Sequence, residues 1–219
     1  MFVGGAYYGL TLAVSRERLR CVINRLSNSG AYFLLALLLV PLSGCSGPLF
    51  KVKPAVELPA LPTNSKSASG GGLTVHTAPL LTDENSQDLF EANLPLAGVL
   101  PIRVELDYET GGVPLELKRA KLQLRDSGGR EWKVLSPKKA VSRILKANDI
   151  YLYNPHSRKQ FEQEFAAYGI DLKTPLSAGE RRRQGFLFFQ SPGKEPLRSP
   201  SGLVLSITGL AQPIEISLD

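Results

Sequence analysis

Gly98-Val99-Leu100-Pro101-Ile102-Arg103-Val104-Glu105-Leu106-Asp107-Tyr108 is the clearest strand in the sequence. From Ile102 onward apolar and charged side chains alternate without a break, the period-two pattern of a strand with one face in a core and one in water. Pro101 has no N–H to give to a ladder, which predicts that the early part of this strand lies at an edge or a bulge. The same alternation recurs on both sides. Upstream, Leu73-Thr74-Val75-His76-Thr77 reads as a first strand, and residues 90–94 as a possible second. Downstream, Thr110-Gly111-Gly112 is a turn, followed by alternating runs at 113–117 and 120–124. Asp126-Ser127-Gly128-Gly129 then turns the chain into Glu131-Trp132-Lys133-Val134-Leu135.

The period changes at Ser136-Pro137, an N-cap residue followed by proline at the first helical position. Ala140, Val141, Ile144 and Leu145 follow at helical spacing. After a loop at 148–155, Ser157 is placed to cap a second helix with Phe161, Phe165 and Tyr168 on one face and Gly169 as its stop. Strands resume at 183–190 with Phe186, Phe188 and Phe189, and close with 203–207 and 214–218. Because the strand period is the same on either side, the two-helix stretch 136–169 reads as an insert that the sheets can close without.

Eight or nine short strands separated by turns predict an all-β fold of the sandwich type. The closing third, Ala178-Gly179-Glu180, Gly185-Phe186-Leu187-Phe188-Phe189, Pro192 and the last two strands, resembles the end of immunoglobulin-like domains of bacterial envelope lipoproteins. Residues 98–129 fit the same scheme. The resemblance covers 73–219 and implies an immunoglobulin-like β-sandwich carrying the helical insert 136–169. It rests on turn and core residues, so it implies no activity.

The amino-terminal part has a different logic. Residues 31–40 form a short apolar run behind Arg16, Arg18, Arg20 and Arg25. Ten apolar residues fall short of the roughly 20 that a spanning helix needs. Basic residues, a short apolar run and then small residues are the parts of a signal peptide. Leu42-Ser43-Gly44-Cys45 at its end resembles the lipobox of bacterial lipoproteins. That resemblance implies cleavage of 1–44, lipid on Cys45, and attachment to a membrane of the cell envelope. Ser46 in place of aspartate after the cysteine implies the periplasmic face of the outer membrane. Residues 45–72, rich in proline and then in serine and glycine, read as a flexible tether that leaves 73–219 as the folded domain.

Composition narrows the function classes. The two cysteines are Cys21 and Cys45, so the expected mature domain has neither a disulfide nor a cysteine metal site. Loss of 1–44, with four arginines and one glutamate, takes the net charge from +6 to +3. That balance gives no case for nucleic acid as a partner. His76 and His156 are the only histidines and stand far apart, a poor start for a metal centre. No serine sits in a nucleophile-elbow setting, and no carboxylate pair stands out. No cofactor is implied.

Two clusters remain as candidate contact residues. Tyr151, Tyr153, His156 and Arg158 gather aromatic and polar side chains beside the insert, as an interface anchor would; they serve equally well as a cover for the core. Arg181, Arg182 and Arg183 form the densest charge run. They read either as an anionic contact or as a solvated strand edge that discourages aggregation. The expectation is a non-enzymatic binding or scaffolding module for another envelope protein. A small-ligand or cell-wall glycan binding module is the alternative, and a hydrolase the third reading.

Overall fold

The computed structural model describes residues 57–109, 112–148 and 155–219, with backbone alone at 155 and 156. The signal peptide, the lipobox Leu42, Ser43 and Gly44, the lipid acceptor Cys45, and Tyr151 and Tyr153 lie outside the described residues. Eight strands are present there: β1 (Lys66–Gly70), β2 (Leu73–Pro79), β3 (Val99–Tyr108), β4 (Lys121–Arg125), β5 (Glu131–Leu135), β6 (Arg182–Gln190), β7 (Val204–Thr208) and β8 (Ile214–Ser217). The helices are α1 (Asp83–Phe90), α2 (Pro137–Ala147) and α3 (Pro155–Ala167).

The strands form one sheet in the order β1-β2-β3-β6-β5-β4-β7-β8, with every neighbouring pair antiparallel. β7 returns to lie beside β4 at the end of the β4-β5-β6 series, the Greek-key arrangement. β5 turns a corner: Glu131 and Trp132 pair with β4, whereas Lys133, Val134 and Leu135 pair with β6. The sheet wraps until its two edges meet at one end. There the Gly71 N–H donates to Gln212 Oε1 at 2.9 Å. The fold is therefore mostly β, an antiparallel sheet nearly closed into a barrel, with a few helices.

β3 lies between β2 and β6, but its early part, 99–101, pairs with β6 alone and is a local edge, as Pro101 predicts. Pro101 is tolerated because β2 has already ended at Pro79, opposite Ile102. No ladder partner waits for the missing N–H, and the Pro101 carbonyl accepts the Leu80 N–H at 2.9 Å. The alternation separates two cores. Leu100, Ile102, Val104 and Leu106 point inward with Trp132, Leu187, Phe189 and Leu205. On the outer face, Val99, Leu135, Phe186 and Phe188 pack against Phe90, Ile144, Phe161, Phe165 and Tyr168 of the helical layer. The aromatic stripe on α3 is thus core, as its spacing predicts.

The helical stretch is joined to the sheet by backbone hydrogen bonds as well as by packing. On the side of β6 away from β3, β5 covers only Phe188, Phe189 and Gln190. The chain leaving α3 takes the next place: the Phe186 N–H donates to the Tyr168 carbonyl at 2.6 Å, and the Ile170 N–H to the Phe186 carbonyl at 3.1 Å. Gly185 permits this approach, since a Cβ there would lie 2.6 Å from Ile170 Cα. The insert therefore covers a sheet face and satisfies backbone groups of a central strand.

Three local expectations change. Residues 66–70 belong to the sheet and not to the tether: all five pair with β2. Their mostly exposed side chains carry little apolar signal, and backbone pairing alone makes the strand. Residues 90–94 are not a strand. Phe90 ends α1, which Thr82 caps by accepting the Asn85 N–H at 3.3 Å and Glu91 closes in the left-handed conformation at φ 48°. α3 begins at Pro155, two residues before Ser157, which places His156 in its first turn and not in a loop.

Candidate functional site

A strand sends successive side chains to opposite faces. Arg182 and Arg183 are therefore split by β6 itself. Arg183 is buried. Its Nη1 donates to the carbonyls of Asp171 and Thr174, Nη2 to that of Pro175, and Nε to Glu180 Oε1 at 2.8 Å. A guanidinium with its donors so engaged holds the 171–180 loop and is not open to an external anion, which removes Arg183 from the proposed anionic contact. The ion pair with Arg183 also holds Glu180 below the usual carboxylate range.

Arg181 and Arg182 stay on the surface. They border an open depression of about 590 Å³ with Thr74, His76, Asp107 and Glu109. Arg182 Nε donates to Asp107 Oδ2 at 3.0 Å, with the arginine side chain 74% exposed. Arg181 Nε reaches the Tyr108 carbonyl at 3.5 Å. Two carboxylates thus stand among the two arginines, and the patch is mixed in sign. An exposed pair of this kind contributes about 0–1 kcal/mol.

Arg158 joins the two helices. Its Nε donates to Glu162 Oε1 at 3.0 Å and its Nη2 to Ser142 Oγ at 3.0 Å. These hydrogen bonds and the buried stripe hold α2 against α3. The Arg181–Arg182 patch belongs to other elements, β6 and its approach.

Two polar centres were not singled out as sites by their sequence positions. Asp126, read as a turn residue, is a hub. Its Oδ1 accepts the Gly128 and Arg130 N–H groups, both at 3.0 Å; its Oδ2 accepts Arg130 Nε at 3.0 Å and the Trp132 indole N–H at 3.2 Å. Burial alone raises the pKa of such a carboxyl, but these hydrogen bonds and the Arg130 charge outweigh it and hold Asp126 below its ordinary value. The second is Arg103 on β3, 5% exposed. Alternation predicts that it faces water, and it does lie on the outer face. α1 and the segment before β1 border the groove around it, which no local pattern announces. In the aromatic core, burial and the nearby Glu57 push Tyr168 up to about 12, so its hydroxyl stays protonated at neutral pH.

Among the described residues no three His, Cys, Asp or Glu side chains converge as a metal-binding group, and no helix is long and apolar enough to cross a membrane. No protein-family model, no curated protein and no solved structure matches the chain.

Proposed function

We propose that this chain is a non-enzymatic binding module of the bacterial cell envelope, anchored by lipid on Cys45 at the periplasmic face of the outer membrane, with another envelope protein as its partner. The address rests on the basic residues, short apolar run and Leu42-Ser43-Gly44-Cys45 of the amino-terminal sequence. The domain is read as an immunoglobulin-like sandwich. The Greek-key order and the corner in β5 favour that reading, since β5 divides the strands into two half-sheets.

The observation that carries the binding reading is the pairing of α2 with α3. Arg158, Ser142, Glu162 and the buried stripe hold together the two helices that flank Tyr151 and Tyr153 in sequence. Aromatic residues between two elements that are held together are suited to act as interface anchors.

Crosslinked recovery of partners from envelopes tests this. Changing Tyr151 and Tyr153 together to Ser should leave the melting temperature nearly unchanged and lower the yield of partner. Cys45→Ala should release the protein from carbonate-washed membranes. A tyrosine pair whose loss destabilises the fold, with partner yield per folded molecule intact, would make the connection a cover for the core. Continued membrane retention of Cys45→Ala would remove the anchor.

A further inference from the structure

A groove of about 1000 Å³ lies between the segment that precedes β1 and helix α1, with the ends of β1 and β2 and the C-terminal residues along it. Pro59, Pro62, Pro79, Leu81, Leu89 and Leu218 give it apolar walls. Arg103 also lines it, and is the buried cation of the groove. Its Nη2 donates to Gln184 Oε1 at 3.2 Å, while its Nε is buried with no hydrogen-bond partner. Among the described residues no carboxylate stands within ion-pair distance of it; the ion pairs of neighbouring strands go elsewhere, as in Arg182–Asp107. Burial lowers the pKa of Arg103 and the charge of Glu105 raises it, yet arginine stays charged in any protein setting. A buried guanidinium with one neutral amide as its hydrogen-bond partner and no carboxylate in direct contact is an incomplete arrangement, since buried charges are ordinarily paired.

We propose that this groove binds an apolar molecule bearing one carboxylate, with the carboxylate on Arg103 and the apolar body along the proline and leucine walls. Guanidinium and carboxylate match in charge and in planar geometry. The walls match an alkyl or alicyclic body, and the volume lies at the upper end of the range for small-molecule sites. The rim selects among anions. Glu57, Asp88 and Asp219 line the same groove with Lys66, so repulsion grows with each added negative charge and falls more heavily on a polyanion such as a phosphate polymer than on a single carboxylate. The site does not depend on the partner reading.

Titration calorimetry of the full chain with decanoate tests the proposal, with decanol as a probe of equal chain length. Decanoate should bind saturably, and decanol at least about ten-fold more weakly, the scale of one charge-assisted hydrogen bond. Arg103→Met should lower decanoate affinity by a similar factor and leave decanol nearly unaffected. Leu81→Glu, at a position 39% exposed and therefore safe for folding, should also weaken decanoate by setting a like charge in the wall. The second variant decides the matter if Arg103→Met does not fold. Absence of saturable decanoate binding, equal affinity for decanoate and decanol, or full decanoate affinity in Leu81→Glu would each overturn the proposal.

Discussion

Asp126→Asn is the sharpest probe of how the β4–β5 hairpin is held. The substitution keeps one side-chain carbonyl, which can still accept the Gly128 and Arg130 N–H groups that Oδ1 accepts at 3.0 Å. It replaces Oδ2, which accepts Arg130 Nε and the Trp132 indole, with an NH₂ group that can only donate. The Arg130 side chain is 67% exposed, so its lost ion pair counts for about 0–1 kcal/mol. Trp132 is 4% exposed, and a buried indole donor left facing another donor costs about 1–3 kcal/mol. The expected loss is about 1–4 kcal/mol at neutral pH. Asp126→Ala frees the two turn amides as well and should cost about 3–5 kcal/mol. Trp132 is the only tryptophan, so its fluorescence in urea follows the hairpin directly, with circular dichroism as the global control.

The pH dependence separates the charge from the shape. The folded pKa of Asp126 lies below its unfolded value, so its contribution is fully present above the unfolded value and fades as pH falls through the folded one. Asparagine has no such limb. The gap between parent and Asp126→Asn should therefore narrow in acid. A variant within about 0.5 kcal/mol of the parent at neutral pH, inside the ordinary range for surface changes, would refute the hub, and so would a gap that widens on acidification.

Two further outcomes follow from the outer core and the first strand. Phe165 is fully buried, with its ring 4.7 Å from Phe188 and 5.1 Å from Phe90, so Phe165→Ala should cost about 3–5 kcal/mol in a thermal or urea melt; a loss under 1 kcal/mol would mean that the helical layer is loosely held. A chain beginning at Leu73 lacks β1 and leaves the β2 ladder open, so it should melt lower and aggregate sooner than one beginning at Glu57. Both should be β-rich and indifferent to reductant, since no cysteine follows Cys45. Equal melting of the two would show that β1 adds nothing.

What could be read in advance follows from how each element is specified. β3, β5, β7 and β8 are written in side chains: one face must be buried, so alternation marks them and their bounds fall close to expectation. β1 is specified by backbone pairing, and a Lys-Ser-Ala-Ser-Gly strand is indistinguishable from a linker in composition. α1 has little apolar face. Its cap and its terminal Phe90 fix it, and the spacing of Phe90, Ala92 and Leu94 imitates a strand. For the candidate sites, the division of the arginine triplet was legible in principle, because neighbours in a strand cannot share a face. That Arg183 enters the side with partners, and that Arg103 ends beneath a groove, depends on loops and helices distant in sequence. No local pattern encodes such a contact.

The pairing of β3 with β6 has a consequence for how the chain reaches this state. Val99 meets Gln190 and Asp107 meets Arg182, so the central ladder joins segments separated by both β4–β5 and the helices. Closing a loop of that length precedes any return from the contacts inside it, which makes folding slow and late. Until residue 190 is available, β3 can hold β2 on one side only, with its other ladder edge and the side chains of both future cores open to neighbouring chains. The last strands to emerge thus end the period of greatest aggregation risk, and a chain that stops before β6 keeps that edge permanently exposed.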